Sequence, residues 1–280
     1  MPRSPQPPRS ARQFAAAKVP EVTVLFWVVK VLTTGMGEAA ADFLGEVSDV
    51  LAGAVGLLGL VLALVLQFRA ERYVAVRYWS AVAMVAVFGT MIADGPHVVL
   101  GLPYVVSTLL YVALLSAAFL LWRRSEGTLS IHSITTRRRE GWYWVTVLAT
   151  FALGTALGDL TATVWHLGFF WSAVLFAALI AVPAIGWARL GLHPVVAFWS
   201  AYVLTRPLGA SIADWLGKPH AQAGGLGLGD GPVTAVTLVV IAGLVGWCAV
   251  TRRDVQRPAE PACTPLESRP TTGRDPAPAP

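Results

Sequence analysis

Asp42, Asp94, Asp159 and Asp214 each stand fifteen residues after a tryptophan, inside segments that are otherwise apolar. Position eleven after the same tryptophans holds Glu38, Thr90, Thr155 or Ala210, one helical turn before the aspartate and on its face. Three of those four add an oxygen ligand. Histidine follows three of the aspartates, as His97, His166 and His220, while Glu46 and Asp49 follow the first. Oxygen with imidazole suits divalent ions such as manganese, zinc or cobalt; a lone loop histidine is more often solvated than ligating. An ionised side chain at the centre of a spanning helix costs ~2.5–3.5 kcal/mol. Four carboxylates brought together there call for protons, a cation or an arginine, and Arg206 is the buried candidate. The competing reading has four water-facing aspartates at helix ends, copied by duplication.

The aspartates belong to a repeat. "FWVVKVLTTGMGEAAADF" from Phe26, "YWSAVAMVAVFGTMIADG" from Tyr78, "YWVTVLATFALGTALGDL" from Tyr143 and "FWSAYVLTRPLGASIADW" from Phe198 align without a gap. Each opens on an aromatic residue and Trp27, Trp79, Trp144 or Trp199. Such pairs suit an interfacial anchor at headgroup level, or alternatively a substrate gate. Ten residues after each Trp stands Gly37, Gly89, Gly154 or Gly209, and four further on Ala41, Ala93, Gly158 or Ala213. This small-xxx-small spacing lets helix backbones approach closely, so the glycines are read as packing positions in an inner ring of four helices. Two cations lie in the same segments. Lys30 is three residues past Trp27, low enough to snorkel outward. Arg206 sits beside the helix-breaking Pro207, either as part of a transporter-like binding region or as a neutraliser of a ring aspartate.

The elements that must hold these residues follow from composition. The chain has 280 residues, 55% apolar and 13% charged, against about 25% charged in soluble domains. A span needs about 20 apolar residues. Eight segments meet this, roughly 22–44, 50–68, 76–95, 98–122, 142–163, 167–188, 195–216 and 232–250. The fold expected is an all-α integral membrane protein of eight helices, arranged as four parallel two-helix repeats over about 21–70, 73–122, 138–189 and 193–250. The even segments carry no internal charge and are expected outside, against lipid. Pro-rich residues 1–20 and 251–280 read as disordered tails. Of the basic residues outside the apolar segments, eighteen fall on the side of the termini and only Lys218 on the other. By the positive-inside rule both termini are cytoplasmic. The charge of +5 is scattered between spans and forms no nucleic-acid face. Cys248 and Cys263 have neither metal nor disulfide spacing.

Through "KVPEVTVLFWVVKVLTTGMGEAAADFL" and the four tryptophans, the chain resembles bacterial membrane-anchored proteins built of four tandem repeats of unknown function. The resemblance covers residues about 18–250 and carries the signature tryptophan onto Trp27, Trp79, Trp144 and Trp199. It implies an eight-helix protein of the bacterial inner membrane and no established activity. From the residues, the expectation is a secondary transporter or exporter of a divalent cation or small cationic solute. Asp42, Asp94, Asp159, Asp214 and Glu38, with Thr90, Thr155 and Arg206, would bind the cation or protons. The alternative is a non-transporting scaffold or regulator. No nucleophile–base pair or metal motif marks an enzyme, and no cofactor is expected.

Overall fold

The computed structural model describes residues 17–222 and 224–256. Eight long helices cross in sequence: α1 (Val24–Val47), α2 (Asp49–Phe68), α3 (Ala75–Leu100), α4 (Tyr104–Glu126), α5 (Arg137–Asp159), α6 (Gly168–Leu190), α7 (Pro194–Gly217) and α8 (Asp230–Thr251). Each is long and apolar enough to span a membrane, and no strand occurs among the described residues. The starts are set locally. Thr23, Ser48 and Thr136 cap α1, α2 and α5 with their hydroxyls, satisfying donors that no carbonyl reaches. Glycine in the left-handed region ends α3 at Gly101 and α6 at Gly191.

The odd helices form a closed ring, α1 against α3, α3 against α5, α5 against α7 and α7 back against α1. Each even helix leans on the odd helix that follows it: α2 on α3, α4 on α5, α6 on α7, and α8 on α1. The packed pair is therefore an even helix with its successor, offset from the odd-then-even order read along the sequence. Their composition explains the two layers. In α5, 72% of the most apolar window is buried inside the protein, against 22% in α2 and α8. The even helices, apolar along their length, leave most of their side chains on the outside of the protein.

Two helices end differently from a plain apolar run. α3 continues through Pro96 to Leu100, so His97 lies in its last turn rather than in a loop. Proline at 96 frees the carbonyl of Ile92, and the Tyr111 hydroxyl donates to that oxygen at 2.6 Å. α5 is prolonged by a wider turn over Leu160–Val164.

The tails expected to be disordered are in part built into the fold. Residues 17–21 form a strap across the end of the ring where the odd helices begin. Lys18 is buried, its Nζ 2.7 Å from Glu140 Oε2, and Gln67 Nε2 donates to the other Glu140 oxygen at 2.9 Å. The Glu21 amide donates to the Asp254 carbonyl at 2.8 Å, and the Tyr73 hydroxyl to Asp254 Oδ2 at 2.5 Å. Burial first, and then the adjacent Asp254 carboxylate, hold the Tyr73 phenol above its ordinary range. A polar segment is ordered here because a buried acid, an amide and a phenol supply its partners. The rest of both tails, residues 1–16 and 257–280, lies outside the described residues.

Candidate functional site

At the strap end the four aromatic pairs interlock around the ring. Phe26 packs on Trp79 (5.7 Å between ring centroids), Tyr78 on Trp144 (5.6 Å), Tyr143 on Trp199 (6.2 Å) and Phe198 on Trp27 (5.7 Å). The first aromatic of each repeat thus meets a neighbouring repeat's tryptophan. This corrects the interfacial-anchor reading: Trp79, Trp144 and Trp199 are buried in the core, and only Trp27 is half-exposed. Aromatic pairs of this geometry are worth about 0.5–1.5 kcal/mol beyond the area they bury. Inside the girdle the Tyr78 and Tyr143 hydroxyls stand 2.5 Å apart.

One turn further along, Lys30 does not snorkel. It is fully buried, its Nζ 4.2 Å from the Phe151 ring centroid and 4.4 Å from that of Tyr202, with Thr34 Oγ1 at 3.3 Å. The side chain is enclosed between rings from α5 and α7, so its stem has no lipid face to follow outward.

The glycines set the approach of the four helices. A Cβ added at Gly37 would strike Ala86, at Gly89 the Phe151 Cβ (2.7 Å), at Gly154 the Arg206 side chain, and at Gly209 the Thr34 Cβ (2.7 Å). Those four partners are one repeat position, seven residues after each tryptophan. Each glycine therefore seats the same position of the next repeat, round the full ring. The small residues four positions on, Ala41, Ala93, Gly158 and Ala213, are buried as well.

This register delivers Arg206 to the axis. Its Nη2 donates to Glu38 Oε2 and Thr155 Oγ1, both at 2.6 Å, and to Thr90 Oγ1; Nη1 donates to the Thr34 carbonyl at 3.2 Å. Thr90 in turn donates to Glu38 Oε2 at 3.0 Å and Thr155 to the same oxygen at 3.4 Å. Arg206 and Glu38 are both buried. One guanidinium thus ties α7 to α1, α3 and α5, with position eleven of three repeats as its partners; Ala210 supplies none.

Beyond that pair lie the aspartates. One oxygen each from Glu38, Asp42 and Asp214 fall within 4.8 Å of one another, a spacing that could hold a metal ion. Asp94 and Asp159 lie within electrostatic range of each other and of Glu38 and Asp42. Asp214 is buried, while Asp42, Asp94 and Asp159 are partly open. At the rim, Lys218 Nζ bridges Asp42 (2.8 Å) and the buried Asp230 (2.9 Å). Burial works against its ammonium, but Asp42 and Asp230 outweigh that and raise Lys218 above the ordinary lysine value.

The histidines do not join this cluster. His97 Nδ1 is 2.9 Å from the Leu102 carbonyl oxygen and its ring stacks on Tyr104 at 4.0 Å. His166 and His220 are exposed, as are Glu46 and Asp49. His97 lies in the last turn of α3, past Pro96, and His166 follows the wider turn that ends α5. A separate groove of about 480 Å³ opens at the girdle end, lined by Trp27, Ile180, Pro183, Trp187 and Phe198. It is apolar and holds none of the cluster's carboxylates.

Sequence reasoning missed the Lys18–Glu140–Gln67 knot, Tyr202 and the touching tyrosines. Glu140 was a legible signal: a lone acid among the arginines just before the third aromatic pair. A family model described as Repeat of Unknown Function (DUF347) matches residues 25–73, 77–128, 142–191 and 197–254. No curated protein and no solved structure matches the chain.

Proposed function

The chain belongs to the DUF347 repeat family, and we propose that it works as a secondary transporter exchanging a divalent or small cation for protons. The observation that carries this is the axial cluster: Glu38, Asp42 and Asp214 with oxygens within 4.8 Å, above a buried Arg206–Glu38 pair. Six carboxylates (Glu38, Asp42, Asp94, Asp159, Asp214, Asp230) stand against three basic groups: Arg206 pairs with Glu38, Lys218 with Asp42 and Asp230, and Lys30 with none of them. The negative excess has to be covered by protons or a bound cation. Oxygen-only ligation favours hard divalent ions. A cation entering at the aspartate end would take Asp42 and Asp214 and draw Glu38 from Arg206. Release toward the strap end requires the aromatic girdle to open, the rocking of repeats that alternating access describes. With the basic residues cytoplasmic, the girdle faces inward and the aspartates outward, in a bacterial inner membrane.

One observation favours a second reading, a non-transporting scaffold. Arg206 bonds all three other odd helices, so the polar core also serves as glue. Protein in vesicles separates the two. Mn²⁺ flux driven by a pH gradient, abolished by Asp42→Asn and Asp214→Asn in folded protein, supports exchange. Absence of both binding and flux in the unaltered chain leaves the scaffold.

A further inference from the structure

We propose that Lys30 and the tyrosines between it and Asp254 form a proton path along the ring axis, the strap-side half of the route; this rests on the exchange reading above. Lys30 is fully buried and, among the described residues, has no carboxylate within ion-pair distance. The groups that face it are Thr34 on its own helix, Phe151 from α5, and Tyr202 and Arg206 from α7. Glu38, the carboxylate one level on, is already taken by Arg206. A buried ammonium without a partner is costly to keep, and an ionisable group inside a membrane is a functional candidate by default. Arginine holds its proton throughout, so Lys30 is the basic group at this depth able to give one up.

Hydroxyls lead away from it. Tyr202 occupies the repeat position of Lys30, three residues after its tryptophan, and its buried hydroxyl has no hydrogen-bond partner. It faces Tyr143, whose hydroxyl is 2.5 Å from that of Tyr78. The Tyr78 ring meets the Tyr73 ring at 5.7 Å, and Tyr73 donates to Asp254 at 2.5 Å. The first aromatic position is tyrosine only in the second and third repeats and phenylalanine in the others. The hydroxyls therefore stand on adjacent corners and touch. A phenol both donates and accepts, so a proton can be relayed with no net change in the carriers. Lys30 ammonium gives a proton to the Tyr202 oxygen, while each hydroxyl passes its own proton onward through Tyr143, Tyr78 and Tyr73. The Asp254 carboxylate receives the last one, and Lys30 is left as the amine until it is reprotonated from the aspartate side. Three links, Lys30 to Tyr202, Tyr202 to Tyr143 and Tyr78 to Tyr73, close by side-chain movement.

The test uses the full chain in vesicles with Mn²⁺ as the cation and a trapped pH dye. Tyr78→Phe and Tyr143→Phe keep the rings and their packing and remove only the hydroxyls. Mn²⁺ binding in detergent should be unchanged, while the rate of Mn²⁺-coupled proton movement falls by about a hundredfold, the low end for losing a proton-transfer group. Lys30→Met should do the same; if it does not fold, the phenylalanine variants decide. Wild-type proton movement in the Tyr78→Phe, Tyr143→Phe double variant overturns the path and leaves the exchange reading standing. Mn²⁺ flux without protons in the unaltered chain overturns the exchange reading, and the path with it. No Mn²⁺ binding or flux in the unaltered chain overturns the exchange reading, and the path with it.

Discussion

Gly154→Ala adds one methyl group at a tight seam of the ring, between α5 and α7. Alanine is the better helix former by ~1 kcal/mol, so on an isolated helix the change would be favourable. In the folded ring the new Cβ overlaps the Arg206 side chain and lies 3.0 Å from Pro207 Cδ. Arg206 is fully buried and bonded to three helices, so it has no solvent to move into. Overpacking of this kind costs about 1–3 kcal/mol. Displacing the guanidinium from Glu38 or Thr155 loses a charge-assisted bond of about 1.5–3 kcal/mol. The net expectation is a loss of about 2–5 kcal/mol after the helix gain is set against it. Gly53→Ala is the matched control, since nothing stands within 4 Å of its added Cβ; it should be neutral or stabilising by up to ~1 kcal/mol. Unfolding of both variants in mixed micelles, followed by circular dichroism against denaturing detergent, gives the comparison. If Gly154→Ala is as stable as Gly53→Ala, the α5–α7 seam is not packed as described and the register argument for Arg206 falls with it.

Arg206→Leu should cost about 3–5 kcal/mol by leaving Glu38 buried without a partner, and Glu38→Leu added to it should recover part of that loss in the same unfolding assay. Additive losses in the double variant would refute the pairing. Lys218→Met should lower the unfolding midpoint through loss of its ties to Asp42 and Asp230. Because the fold raises Lys218, its stabilisation is complete below the unfolded-chain lysine value of ~10.4 and is lost only as pH rises through the folded value. The difference between the two proteins should therefore not shrink as pH approaches ~10.4 from neutral, as thermal unfolding followed by tryptophan fluorescence can check. Reporter fusions after residues 130 and 225 should report opposite compartments, with 130 inside; one compartment for both refutes the topology.

The spans and the ring were legible because both rest on local composition and on a repeat. Gly37, Gly89, Gly154 and Gly209 recur at one spacing since each meets the same position of the next helix, so a single contact type left four copies in the sequence. Asp42, Asp94, Asp159 and Asp214 are legible for the same reason. What repetition does not copy was harder to read. Arg206 and Glu38 are 168 residues apart and each occurs in a single repeat, so only closure of the ring brings them together. Lys30 was expected to snorkel because depth along a helix was legible while its rotation toward the axis was not. Lys18 lay in a segment whose composition signals disorder, and its partners Gln67 and Glu140 belong to the first and third repeats. The histidines were placed by distance along the chain, which assumes loops that fold back, whereas α3 runs on past Pro96 and carries His97 with it.

The seating of α7 and α8 on α1 has a consequence for repeat number. In an open solenoid the end units keep a free face, and lengths can drift by gain or loss of a unit. Here every odd helix has both ring neighbours, so a fifth unit would have no vacant face. Inserting one would widen the circle, lift Thr34, Ala86, Phe151 and Arg206 from their glycines, and open the axis to water. Geometry holds the count at four. The ends of the described chain also meet, since Gln256 Nε2 donates to the Pro20 carbonyl at 3.1 Å and Glu21 to that of Asp254. The junction between first and last repeats is thus one of four comparable cuts in a circle. A permuted chain, joined there and opened between Gly127 and Thr136, has the same neighbours at every seam and should trace the same circle.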